Sequence, residues 1–194
     1  MQIDITKNEG QRLQGTVKGT SVAMMNALRR CVISDLEAFA IDEVDFYENN
    51  SSMFNDYIAA RLAMVPLTYE ETHAETVGIT LSLNAEGPCM VYSRDLKSTD
   101  ETIKVFNDNV PIIKLGPNQK LRLEGKIGMG SMKKHAKFQS ALCSYNYDIL
   151  KKNPEFEFVV ESYNNMTGGQ QLLRALKILS SKTEELSKAK ELKK

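Results

Sequence analysis

Apolar positions recur every second residue in some stretches of this chain and every three or four in others. Residues 2–6 and 12–17 are short and partly alternating, with Asn8-Glu9-Gly10 between them, and predict a β-hairpin. Gly19-Thr20-Ser21 then offers an N-cap, and a helix is expected to run to about Leu36. Met25, Leu28, Val32 and Leu36 are spaced by three, four and four and so share one face. Residues 40–49 alternate, with Ala40, Val44 and Phe46 on one side and Ile41 and Tyr47 on the other, which predicts a strand. Asn49-Asn50-Ser51-Ser52 reads as a turn and cap. Residues 54–65 follow as a second helix, with Ile58, Leu62 and Val65 on one face and Pro66 as its stop.

The middle of the chain has the period of strands. Val77, Ile79, Leu81 and Leu83 alternate with polar residues, and residues 89–92, 103–106, 111–115 and 119–127 form further short apolar runs parted by Gly, Pro, Asn and Asp. Residues 140–147 and 155–163 complete the set, joined by a turn at Lys151-Lys152-Asn153-Pro154. After Thr167-Gly168-Gly169 the helical period returns. Leu172, Leu176, Leu179, Thr183 and Leu186 are spaced four, three, four and three, a coiled-coil-like seam that Leu173 widens, and the closing KAKELKK is expected to fray.

The hairpin and first helix need a surface to cover, and so does the last helix. They form one domain only if the β-rich middle is an insertion. The expected fold is therefore α+β, with a discontinuous domain (residues 1–37 plus 155–194) and an inserted β-rich domain (residues 38–154).

Composition narrows the function. The 194 residues are 42% hydrophobic and 26% charged, ordinary globular values. Lys+Arg and Asp+Glu are both 25, so no global basic field is available to grip nucleic acid, and near-zero net charge favours association. No apolar run approaches the roughly 18 residues of a membrane span, and MQIDITKNEG does not read as a signal peptide. Cys31, Cys89 and Cys143 are odd in number and far apart, which suits thiols in a reducing cytoplasm rather than a disulfide framework or a closed zinc site.

Candidate chemistry is sparse. Asp42, Glu43 and Asp45 invite a metal reading, but adjacent strand residues face opposite ways, and a solvated sheet face accounts for them better. His73 and His135 lie in no ligand-spaced cluster. No P-loop, GxGxxG or Ser-His-Asp order occurs. Lys133-Lys134-His135-Ala136-Lys137-Phe138 is one local basic run, a weak single-strand-binding pattern better read as a loop or a protein contact. Two features point instead to protein partners. Arg29 and Arg30 are about 100° apart on the first helix and cannot both follow its apolar stripe. The leucine seam continues to Leu186 with few residues left to cover it.

Five ordered blocks carry a resemblance: VKGTSVAMMNALRR, AIDEVDFYENNSSMFNDYIAARLAMVPL, GPCMVYSRDLKS, VPIIKLGPNQKLRLEGKIGMG and KKHAKFQSALCSYNY. They resemble the alpha-like family of RNA polymerase subunits, which comprises the archaeal D-type subunit, the amino-terminal domain of bacterial alpha and the third-largest eukaryotic subunit. The resemblance implies a non-catalytic assembly subunit of DNA-directed RNA polymerase, with the catalytic carboxylates in another chain. It implies pairing with a small alpha-like partner, the L-type subunit in archaea, through the first and last helices. That makes Met25, Leu28, Val32, Leu172, Leu176, Leu179 and Leu186 dimer-interface candidates. It implies that Asn26, Arg29, Arg30, Arg61 and Leu62 face the second-largest subunit. Many archaeal relatives carry a ferredoxin-like insertion with an iron–sulfur cluster after the strand ending in SYNY. Only residues 148–155 fill that place here, without cysteine, so no cluster, metal or other cofactor is expected.

Three other readings are open at this level. One is a homodimeric alpha-like scaffold. Another is a small enzyme using the Asp42–Asp45 region and His135. The last is direct nucleic-acid binding through residues 133–137. A cytoplasmic location follows from the cysteine usage and the family.

Overall fold

The computed structural model describes residues 2–70, 78–151 and 154–191. His73, Val77, Lys152, Asn153 and the last three residues lie outside this set. The chain divides into two compact units, Met1–Glu37 with Ser131–Lys194, and Ala38–Gly130. The fold is α+β, with antiparallel sheets and three α-helices among the described residues.

The first unit is a four-stranded antiparallel sheet in the order β1 (Gln2–Glu9), β2 (Arg12–Lys18), β10 (Phe156–Ser162), β9 (Ala141–Asn146). Helices α1 (Val22–Ser34) and α3 (Gly168–Glu191) pack on one face. Alternation in β2 turns Leu13, Gly15 and Val17 inward and leaves Arg12, Gln14, Thr16 and Lys18 outward. Register then stacks like on like. Leu13 opposes Val160, which opposes Cys143; Val17 opposes Phe156. Gly15 opposes Phe158, and a Cβ there would meet the Phe158 ring at 2.9 Å and Asp4 O at 2.7 Å. Glycine is what leaves room for the ring at this point. Helix α1 starts where Ser21 Oγ accepts from Met24 N at 3.2 Å. It buries Met25, Leu28, Cys31 and Val32 in a core shared with Leu172 and Ala175 of α3. Each such aliphatic contributes about 1.5–3 kcal/mol by leaving water.

The second unit holds a sheet in the order β3 (Glu37–Asn49), β8 (Lys120–Ser131), β4 (Thr80–Glu86), β6 (Lys97–Ser98), and a ribbon of β5 (Cys89–Tyr92) with β7 (Pro111–Leu115). Helix α2 (Asn55–Ala63) packs near β7. Ile41, Ile58, Leu62, Leu81, Leu83, Ile112, Leu115 and Leu121 are fully buried.

Two sequence expectations change here. The return to the first unit falls at Ser131, not near Pro154, because β9 pairs with β10 along its whole length and so belongs to that sheet. Residues 103–106 are not a strand. The Asp100 carboxylate accepts from the N–H groups of Thr102 (2.7 Å) and Ile103 (3.2 Å), and only the isolated bridge Leu67–Val105 forms. Local side-chain acceptors have captured donors a ladder would need.

Candidate assembly surfaces

In the first unit, the junction of α1 and α3 is electrostatic as well as apolar. Asp35 is the C-cap of α1, its N–H donating to Cys31 O. Its carboxylate accepts from Ser34 Oγ (2.9 Å), from Lys133 Nζ (2.7 Å) and from Lys182 Nζ of α3. Burial alone would raise this carboxyl's pKa, but the three donors overcome that and hold it well below the usual carboxylate range. Asp35 in turn pushes Lys182 up. Cys31 lies alongside, donating to Ala175 O at 3.4 Å, and burial together with the Asp35 charge pushes its thiol up to about 11.

The base of α3 is held by a buried polar network. Gln171 Nε2 donates to Asn164 Oδ1 (3.0 Å), Ser162 Oγ (3.1 Å) and Ser140 O (3.5 Å). Arg174 donates to Gln171 Oε1 (3.1 Å), to Met166 Sδ (3.4 Å) and to Glu37 O (3.0 Å). Spacing arguments miss this network, because they weigh apolar positions and these are polar ones on the inward face.

The candidate pairing residues divide. Met25, Leu28, Val32 and Leu172 are between 0% and 7% exposed, inside the unit's own core, so they present no surface to a second chain. This corrects the sequence reading: the stripe is real, but its first partner is the sheet. Leu176 and Leu179 are half-buried against that core. Leu186 is 67% exposed, and residues 183–188 of α3 are exposed throughout. On α1 the outward face carries Val22, Ala23, Met24, Ala27 and Arg30. Arg29 is half-buried, and Asn26 Oδ1 accepts from its Nη2 at 3.0 Å and its Nε at 3.3 Å.

In the second unit, Leu62 is fully buried, so it is a core residue rather than a contact residue. Arg61 is exposed and donates from Nη2 to Pro111 O at 2.7 Å. Around it runs a shallow apolar groove lined by Met53, Tyr57, Ala60, Met64, Val110 and Pro111. Phe54, Tyr57 and Met64 are 77%, 63% and 60% exposed. Helix α2 therefore has a second apolar stripe opposite Ile58 and Leu62. Its signal in the sequence is Phe54, Tyr57, Ala60, Arg61 and Met64 at spacings of three and four.

The residues weighed for chemistry are engaged in structure. Lys126 Nζ pairs with Asp45 (3.1 Å) and Glu43 (3.4 Å), and Tyr47 Oη donates to Glu124 (2.9 Å), a charged ladder on a solvated sheet face. His135 Nδ1 accepts from Lys137 N at 3.1 Å and so caps a short turn. Phe138 is buried beneath Lys134 and Lys137, so its ring is not offered for base stacking. Among the described residues no group of three or more His, Cys, Asp or Glu is placed to hold a metal ion, and no helix is long and apolar enough to cross a membrane.

Known proteins resemble this chain in sequence. Residues 16–145 match the RNA polymerase Rpb3/RpoA insert domain. The chain is 39% identical to DNA-directed RNA polymerase subunit Rpo3 of Pyrococcus furiosus, over 81% of this chain and 64% of that protein. It is 40% identical to Rpo3 of Methanocaldococcus jannaschii, over 84% of this chain and 82% of that one. To Rpo3 of Methanobrevibacter smithii it is 32% identical, over 81% and 61%. The chain thus spans a little under two thirds of the Pyrococcus relative's length. A match over these residues, with this fold, means that the chain belongs to the Rpb3/RpoA family of RNA polymerase subunits. The relatives named Rpo3 place it at the archaeal branch of that family.

Proposed function

We propose that this chain is a non-catalytic assembly subunit of DNA-directed RNA polymerase. It pairs with a small alpha-like subunit, of the archaeal L type, through the first unit, and the pair captures the second-largest subunit. The observation that carries this is the second half of α3, which extends beyond its own core with Leu186 exposed. A helix half with nothing of its own to pack on is stable when a partner supplies the other face. The α2 groove with Arg61, and α1 with its exposed Arg30 and half-buried Asn26 and Arg29, are the surfaces offered to the large subunit. The chemistry of nucleotide addition belongs to other chains. This reading includes no iron–sulfur cluster, since Cys31 and Cys143 are buried, Cys89 is exposed, and the sequence holds no fourth cysteine.

The test is size-exclusion chromatography with mass detection on this chain co-expressed with a small alpha-like subunit of the same genome. The expected result is a one-to-one complex that then captures the second-largest subunit. A homodimer that ignores the candidate partner overturns the heterodimer and favours a self-paired scaffold.

A further inference from the structure

Asp35 sits where a carboxylate is disfavoured. It caps the C-terminal end of α1, where the helix dipole is negative, and the last turn of α1 holds no basic residue to offset it. The offsetting cations come from elsewhere in the chain. Lys133 Nζ reaches Asp35 Oδ1 at 2.7 Å, Lys182 Nζ reaches Oδ2, and the Asp35 side chain is only 10% exposed. A local preference that is broken and then compensated by distant residues points to a role beyond capping.

The place of Lys182 along α3 supplies that role. Leu172 and Ala175 are buried, Leu176, Ile178 and Leu179 are half-buried, and residues 183–188 are exposed. Half-buried Lys182 stands at the step from the packed part of the helix to the exposed part. Apolar packing is non-directional and holds a helix to a surface without fixing its line, whereas a charge-assisted hydrogen bond joins particular atoms. At about 1.5 Å per residue, the stretch from Lys182 to Glu191 adds roughly 14 Å beyond that bond, so a tilt at Lys182 is magnified at the far end. We infer that the Asp35–Lys182 contact aims the exposed half of α3, and Leu186 with it, along the line on which a small alpha-like partner meets it. This rests on the reading of α3 as the pairing helix. Asp35 and Lys182 are then positioning residues for pairing, acting through the helix rather than by touching the partner. Lys133 shares the carboxylate but lies outside α3, so it steadies Asp35 without directing the helix.

The test uses the full chain and its Lys182→Met, Lys182→Arg, Asp35→Asn and Lys133→Met variants, with the Asp35→Asn/Lys182→Met double variant. Titration calorimetry against the small alpha-like subunit of the same genome reads pairing, and amide hydrogen exchange of the unpaired chain reads the order of residues 176–188. Lys182→Met and Asp35→Asn should each weaken pairing by about 5–30-fold and speed exchange over those residues, and the double variant should be no worse than either. Lys182→Arg should pair like the parent. Lys133→Met should lower the melting midpoint yet pair within about twofold of the parent, a split that a merely stabilising carboxylate would not give. The inference is overturned by unchanged pairing in Lys182→Met, by additive losses in the double variant, or by an equal loss in Lys133→Met. Weakened pairing in Lys182→Met with unchanged exchange also overturns it, since Lys182 would then be a direct contact. If the parent chain does not bind the small subunit, the pairing reading fails, and exchange still decides whether the contact holds α3: no change in Lys182→Met and Asp35→Asn means that it does not.

Discussion

Lys182 of α3 donates to the carboxylate of Asp35, the C-cap of α1, across 147 residues of sequence. With Lys133 bound to the other oxygen, one carboxylate ties the end of α1 to the middle of α3 and to the segment after β8. Because the folded carboxyl is held below its ordinary value, its contribution is fully present above about pH 4, the unfolded value, and is lost as pH falls below that. Asp35→Asn should lower the unfolding free energy at pH 7 by about 1–3 kcal/mol. Urea melts at pH 7 and pH 3 check this: the gap between variant and parent should narrow at the lower pH. An equal gap at both would mean that the charge contributes nothing.

The two ends of the α3 seam should behave oppositely. Leu172 is buried in the first unit's core, so Leu172→Ala should cost about 2–5 kcal/mol of stability. Leu186 touches water, so Leu186→Ala should leave the isolated chain's melting midpoint nearly unchanged. It should weaken pairing with a small alpha-like partner by about 1–2 kcal/mol, or roughly 5–30-fold. Titration calorimetry of both variants, alongside their melts, separates the roles. Pairing unaffected by Leu186→Ala would move the partner surface to the outward face of α1.

The three thiols should differ sharply in reactivity. Cys31 and Cys143 are buried, and burial pushes both up to about 11, while Cys89 is exposed. Since the thiolate is the reactive form, a chromogenic disulfide reagent at pH 8 should find one fast thiol, with two more only after denaturant. Cys89→Ser should abolish the fast phase. Two fast thiols in the native chain would show that the α1–β9 core opens readily.

Periodicity made the helices and most strands of this chain legible, because 3.6 and 2 are distinct periods and both faces of each element had a clear sign. It could not say what covers a stripe. Met25, Leu28 and Val32 have the spacing of a contact surface, and the spacing is the same whether the cover is a second chain or, as here, the chain's own sheet. The break at Ser131 was illegible for a related reason: that β9 pairs with β10 depends on register between strands, which local pattern does not carry. Residues 103–106 misled because side chains take two of their backbone donors, Asp100 that of Ile103 and Thr68 that of Lys104. Arg174 and Gln171 stayed hidden because polar residues are read as outward until a network shows otherwise.

Helix α2 gives the sharpest separation between stability and assembly, since its two apolar stripes face different ways. Leu62 is fully buried, so Leu62→Ala should cost about 2–5 kcal/mol and show as a lowered urea midpoint. Tyr57 and Met64 lie on the opposite, exposed stripe with Arg61, so Tyr57→Ala and Met64→Ala should leave that midpoint nearly unmoved. If the groove receives the second-largest subunit, Tyr57→Ala should weaken its capture by at least about tenfold, because tyrosine is enriched among the residues that dominate interfaces. The measurement is immobilised second-largest subunit titrated with the preformed heterodimer of each variant. Arg30→Ala belongs in the same series. A loss of about 2–5 kcal/mol would place Arg30 against a buried partner carboxylate, and a loss of about 0–1 kcal/mol would place it at the rim. If Tyr57→Ala and Arg30→Ala both bind like the parent, then neither α2 nor the outward face of α1 meets the large subunit, and the contact lies elsewhere on the chain.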